Sequence, residues 1–336
     1  MATASRFHPV FAMLISGALA VLFGGRLWGG DDPTAGVVPG EIRVHIPPEL
    51  PCGIRTMTGA ENQIYLLGKC GAVVRWDPFS GESSVLVLDD QVDEAFAIAV
   101  AHDRIAVLTD RRRAIRIYDR DGRFLSEYHY SGETHLERIA LTAQGVLASS
   151  FFDDHLFFFF GDDHSEPVRL VENLYYWPDV SPRFASFVDV HSLNEEVVAV
   201  DLTDYSIYVV EPEKGLVSKT EKDRHPWWRE NSKPKKPRDE ENPRYTGERL
   251  AMSSAVANDI VYILWVDRTL VRGAAKWGDG YMELAAGGLT TKGWKTVVRL
   301  VDHERYGGCG NIAVISRTIF CINPEGVVHA FQIADD

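Results

Sequence analysis

From Asp103 to Tyr128 apolar and polar positions alternate with a period of two, and clusters of turn residues interrupt the alternation twice. Ile105–Leu108 reads as a short apolar strand, Asp110–Arg113 as a polar turn and Ala114–Tyr118 as an alternating strand. Asp119–Gly122 predicts a second tight turn, ahead of a third strand over Phe124–Tyr128. A period of two bounded by Asp and Gly clusters is the pattern of half-buried strands joined by hairpins.

The chain copies this stretch. Apolar strands followed by a turn and an alternating strand begin at Ile64, Ile105, Val146, Val198, Ile260 and Ile319, and the shortest repeat is 41 residues. A further strand precedes each of them, over Gly53–Thr58, Glu94–Val100, His135–Leu141, Phe184–Val190, Arg249–Ala255 and Gly310–Ile315. Each unit therefore reads as four strands, A to D, in hairpin order. One such sheet cannot bury both faces alone, whereas six packed around an axis can. The sixth unit stops before a D strand, and an unassigned strand, Glu41–Ile46, lies ahead of the first unit. Joining the two closes a ring. The prediction is an all-β, six-bladed β-propeller of four-stranded antiparallel blades over residues 41–336, with the last blade completed from the N-terminal side.

The turn chemistry carries a family resemblance. Trp76-Asp77 with Gly81, and Tyr118-Asp119 with Gly122, place an aromatic-Asp pair before a Gly turn and an apolar strand. Pro324-Glu325-Gly326 repeats the Gly turn in the last unit. This pattern resembles the repeats of NHL and TolB-like six-bladed propellers, and it implies the fold over about residues 41–336. It implies no activity, because propellers host unrelated functions.

Ahead of the repeats, Val10–Gly25 is an apolar run with Arg6 before it, which predicts one hydrophobic N-terminal helix. The run is short for a span needing ~20 residues and fits a secretory signal segment. Ala18-Leu19-Ala20 resembles a cleavage site, while Val21-Leu22-Phe23 extends the run as an uncleaved membrane anchor would. Residues 1–25 are expected to direct export, to the periplasm or the extracellular space, and residues 26–40 to form a linker.

Export makes bridges the first reading of the four cysteines. Register across the first A–B hairpin places Cys52 opposite Cys70. Cys309 and Cys321 repeat the layout in the sixth unit, offset by about three residues. No C-x-x-C or paired His spacing favours a metal site.

The formal charge of −13, in a chain that is 45% hydrophobic, argues against non-specific nucleic-acid binding, and no nucleic-acid partner is expected. Two long D-to-A connections carry aromatic clusters, Tyr175-Tyr176-Trp177 ahead of Arg183, and Trp227-Trp228. They emerge on one face and predict a binding surface for a protein, peptide or carbohydrate. Glu94, His135, Arg183, Glu248 and Asn311 stand at the starts of A strands, at the mouth of the axial channel. The leading expectation is a binding or scaffold module without a cofactor. The alternative is a lactonase-like hydrolase or lyase, with Glu94 and Asn311 among the ligands of a central Ca²⁺.

Overall fold

The computed structural model describes residues 41–333, apart from positions 46, 49, 51, 89–93, 134, 152–154, 162–165, 173–187, 203–204, 224–247, 272–273, 301–308 and 324–325. The N-terminal segment read above as a signal or anchor, and the linker after it, lie outside the described residues. Among the described residues no helix is long and apolar enough to cross a membrane.

The strands form six four-stranded antiparallel sheets. Blade 1 contains β2 (Ile54–Ala60), β3 (Gln63–Gly68), β4 (Val73–Trp76) and β5 (Ser83–Leu86). Blade 2 contains β6 (Ala97–Ala101), β7 (Arg104–Thr109), β8 (Ala114–Asp119) and β9 (Phe124–His129). Blade 3 runs from β10 (His135–Leu141) through β11 (Gly145–Phe151) and β12 (Phe157–Gly161) to the short β13 (Val168–Arg169). Blade 4 contains β14 (Val188–Leu193), β15 (Glu196–Asp201), β16 (Ser206–Glu211) and β17 (Gly215–Glu221). Blade 5 contains β18 (Glu248–Ala257), β19 (Ile260–Val271), β20 (Ala274–Gly288) and β21 (Lys295–Leu300).

Blade 6 has β22 (Asn311–Ile315), β23 (Thr318–Ile322) and β24 (Val328–Gln332), and its fourth strand is β1 (Glu41–Ile42). Glu41 lies opposite Phe331 and Ile42 opposite Ala330. The ring closes as the repeat arithmetic requires. The closing strand is shorter than the expected 41–46, because the chain leaves β24 after Ile42. The His45 N–H then donates to the Pro78 carbonyl, on the C–D turn of blade 1, at 3.0 Å.

Alternation explains the packing. In β3, Ile64 and Leu66 pack with Phe320 and Ile322 of blade 6, while Tyr65 and Leu67 pack with Val100 and Val107 of blade 2. In β12, Phe158 and Phe160 face blade 2 and Phe157 faces blade 4. Strands buried on both faces read as continuous apolar runs, which is why Phe157–Phe160 stands out in the sequence. The core is thus divided into six layers, each between two successive blades, and no single blade owns one.

The turns follow from their residues. Asp77 Oδ1 accepts from Phe79 N–H (2.8 Å) and Ser80 N–H (3.2 Å), and Gly81 supplies φ of 79°. Asp119 does the same for Asp121 and Arg123, both at 2.9 Å, and Gly122 has φ of 89°. These are the two aromatic-Asp-Gly motifs of the sequence, acting as Asx-type turns. Several A–B hairpins use pairs of left-handed residues instead, including Glu61-Asn62 and Asn258-Asp259. Blade 2 departs from the expected A strand, Glu94–Val100, because Glu94 has φ of 55° and the strand begins at Ala97.

Both expected disulfides are present, Cys52–Cys70 and Cys309–Cys321, each with a Cα–Cα separation of 5.7 Å. In blade 6 the register places Ile312 opposite Cys321, which confirms the offset of Cys309. Just ahead of β22, the Gly310 N–H donates to the Ile322 carbonyl (3.1 Å).

Candidate functional site

The innermost strands β2, β6, β10, β14, β18 and β22 surround the axis, and three of them carry a bulge. Register slips leave Arg55, Glu137 and Met252 without a cross-strand partner. A bulge breaks the strict alternation of faces and re-aims the residues around it. In β10 it allows the consecutive residues Glu137 and Arg138 to make separate ion pairs, with Arg112 and with Asp189.

These pairs belong to one connected set running from the rim to the axis. Arg112, on the B–C turn of blade 2, bonds Glu137, and Arg138 lies 4.0 Å from the same carboxylate. Arg138 Nε donates to Asp189 Oδ1 at 3.0 Å. Asp189, only 6% exposed, accepts through Oδ2 from the Ser254 N–H (2.7 Å) and hydroxyl (3.2 Å). His191 Nε2 is 2.8 Å from Ser254 Oγ. Elsewhere around the axis, Ser253 Oγ accepts from the Ile312 N–H (3.3 Å) and Thr56 Oγ1 donates to Asn311 Oδ1 (3.4 Å). The wall contributed by β6, Ala97–Val100, is apolar and buried.

Ser254 beside His191 invites comparison with a nucleophile and its base, and the hydrogen bonds argue otherwise. The Ser254 hydroxyl proton points to Asp189, so the imidazole N–H is the donor to Ser254 Oγ. Asp189 thus holds the serine and not the histidine, the reverse of what a nucleophile–base pair needs. Ser254 is 2% exposed, and the cavity on the axis has a volume of about 100 Å³. That is room for a few waters, against the ~300 Å³ or more of ordinary ligand pockets. Burial pushes the His191 imidazole below its ordinary value of 6.5, although the Asp189 carboxylate pulls it up.

The rim is built differently. Arg55 and Arg112 both lie over the ring of Phe96, at 4.8 and 4.9 Å from its centroid. Asp110, Arg111 and Arg112 have φ of 47°, 53° and 66°, three consecutive side-chain-bearing residues in the left-handed region. Such a run costs ~1–2 kcal/mol per residue and persists only where surrounding contacts enforce it. Here the Arg112 carbonyl accepts from Leu136 N–H of β10 (3.0 Å), which ties the turn to blade 3, and the Arg113 carbonyl accepts from Tyr130 N–H just after β9 (2.8 Å), within blade 2.

The residues singled out from sequence fall as follows. His135 opens β10 opposite Phe151 and is exposed. Asn311 opens β22 and is bonded to Thr56. Glu94 is exposed in the loop before β6, outside the strand in which the sequence reading placed it. Glu248 opens β18. Tyr175, Tyr176, Trp177, Arg183, Trp227 and Trp228 lie outside the described residues. Among the described residues no group of three or more His, Cys, Asp or Glu side chains gathers as a metal would require.

No motif or spacing in the sequence marks Arg55, Phe96, Arg112, Arg138, Asp189, His191 and Ser254 as a set. The run Arg111-Arg112-Arg113 was visible as a polar turn, and nothing in the sequence marked it as lying over an aromatic ring.

No protein-family model and no curated protein matches the chain. Solved structures share its fold. A putative exported protein from Bacteroides fragilis is 9% identical with a TM-score of 0.55, over 89% of this chain and 98% of that one. A chain of the mitotic checkpoint complex is 9% identical with a TM-score of 0.53, over 98% and 99%. The WD40 repeats of RRP9 are 12% identical with a TM-score of 0.51, over 88% and 81%. Likeness at this identity speaks for the propeller fold alone. Function has to be argued from the site.

Proposed function

We propose that this propeller is a binding or scaffold module that engages a protein partner on the face bearing the B–C turns and D–A connections. One contrast carries the reading. The axis holds a cavity of about 100 Å³ whose polar groups are bonded to one another, whereas the rim above it presents Arg55 to solvent over Phe96. With so little room on the axis, what the ring offers at this end is surface. The connections carrying Tyr175–Trp177 and Trp227-Trp228, themselves outside the described residues, are the D-to-A links from β13 to β14 and from β17 to β18. Those aromatics extend the proposed surface.

The two disulfides support work in an oxidising compartment, in keeping with export directed by residues 1–25. The experiment is site-specific photo-crosslinking in the cell of origin. A photoreactive residue at Arg111, on the rim, is expected to capture one defined protein, and the same residue at Leu216, on the outer strand of blade 4, is not. Equal capture at both positions, or none at the rim, would sink the reading.

A further inference from the structure

We infer that the Arg55–Phe96–Arg112 platform receives carboxylate side chains from an acidic segment of the partner protein. The inference rests on the binding-module reading and names the chemistry its rim recognises.

Both guanidiniums lie within 5 Å of one ring centroid, so the two positive charges are within about 10 Å of each other. That is about one Debye length (~10 Å at 0.1 M salt), so each charge feels the other. Arg112 is balanced by Glu137, and Arg138 by Asp189. Arg55 has no acidic partner among the described residues and is exposed. In a chain of net charge −13, the described residues of this cluster hold three guanidiniums against two carboxylates, on an aromatic base.

The base is held from three sides. The bulge at Arg55 takes that residue out of the ladder. The left-handed run at Asp110–Arg112 carries Arg112 over the ring. Glu137 then holds the Arg112 side chain, with the Arg138 guanidinium 4.0 Å from the same carboxylate. Strained backbone that serves to place one side chain is characteristic of ligand clamps. The planar fork of a guanidinium fits the two oxygens of a carboxylate, and stacking on Phe96 leaves its N–H edge free to make that contact. The negative charge of the whole protein disfavours a polyanion such as nucleic acid, and a short acidic segment avoids most of that repulsion.

The test uses the full-length chain and fluorescein-labelled 12-residue Gly-Ser peptides carrying four Glu, four Gln or four phosphoserine residues. Each peptide is made with a free and with an amidated C-terminus, and binding is read by fluorescence anisotropy. The Glu peptides are expected to bind at least tenfold more tightly than the Gln peptides, whichever terminus they carry. Arg55→Ala and Arg55→Lys are each expected to weaken the Glu peptides at least fivefold without changing Tm. Arg123→Ala, on an exposed C–D turn of the opposite face, is expected to stay within twofold of wild type.

Equal binding of Glu and Gln peptides, or indifference to Arg55, would overturn the inference. So would a tenfold preference for phosphoserine, which assigns the platform to phosphate, or dependence on the free terminus alone. Cross-links at Arg111 that persist in Arg55→Ala would remove the carboxylate platform and leave the binding module standing. Absence of rim cross-links removes both.

Discussion

Arg138 and Asp189, on the inner strands of neighbouring blades, are joined by a 3.0 Å hydrogen bond beside the propeller axis. Because Asp189 also receives both donors of Ser254, one carboxylate ties the inner strands of blades 3, 4 and 5 together. Asp189→Ala would leave the Ser254 N–H and the Arg138 guanidinium without that acceptor. The expected loss is about 2–4 kcal/mol of stability, measured by denaturant unfolding. A change below 0.5 kcal/mol would mean that water replaces the carboxylate at no cost.

His191 predicts acid sensitivity. Its folded-state pKa is below 6.5, so the unfolded chain takes up the proton first as pH falls. The stability it contributes is complete above pH 6.5 and is lost as pH drops toward the folded value. Melts at pH 7.5 and 5.5 should show His191→Gln losing on the order of 1 kcal/mol less than wild type. Glutamine retains a donor for Ser254 Oγ, which separates titration from loss of the hydrogen bond.

Lys222 is a second base whose protonated form burial disfavours, and it gives the same slope at higher pH. Burial lowers its pKa to about 8, with its ammonium donating to the Gly288 carbonyl (2.6 Å) and lying 4.6 Å from the Trp294 ring centroid. The unfolded lysine still binds a proton between pH 8 and 10.5, so wild-type stability rises with pH across that window. Lys222→Met is expected to be more stable than wild type at pH 7, by on the order of 1–2 kcal/mol, with the gain fading above pH 10. The Thr291 N–H and hydroxyl remain to satisfy Gly288. A variant less stable than wild type at pH 7 would show that the cation–π and hydrogen-bond contacts outweigh desolvation.

The bridges close loops with sequence separations of 18 and 12 residues. Chain entropy assigns each ~3 kcal/mol. Reduction should therefore lower Tm by several degrees, and Cys52→Ser/Cys70→Ser should reproduce about half of that shift in calorimetry.

Ring closure rests on a short seam. Ile42 pairs with Ala330 and packs against the core shared by blades 1 and 6. Gly59 sits so close to β22 that an added Cβ would meet the Val314 carbonyl at 2.5 Å. Ile42→Asp and Gly59→Val should each open this seam. Limited proteolysis is expected to cut first between blades 1 and 6, and cleavage elsewhere first would place the weak point of the ring at another blade boundary.

The rim and the axis were not equally readable from sequence. The aromatic-Asp-Gly turns, the cysteine pairs and the apolar B strands act within one blade, between residues close in sequence. Phe96, Arg55 and Arg112 come from three positions separated by whole strands, and Asp189 meets Ser254 from another blade. The β6 boundary was misplaced for a local reason, since the left-handed backbone at Glu94 leaves no mark on the apolar pattern.

By itself, the sequence determined the number of blades, the order of strands within them and the closure of the last blade by the first strand. Period-two alternation and turn chemistry are local, and six copies of one unit reinforce each other. The tertiary structure decided which polar residues meet. Bulges at Arg55 and Glu137 re-aim side chains that strict alternation would have placed elsewhere. Packing neighbouring blades then brings charges together whose separation along the chain carries no signal. The candidate site depends on register and on contact between blades, and both exist only once the ring has closed.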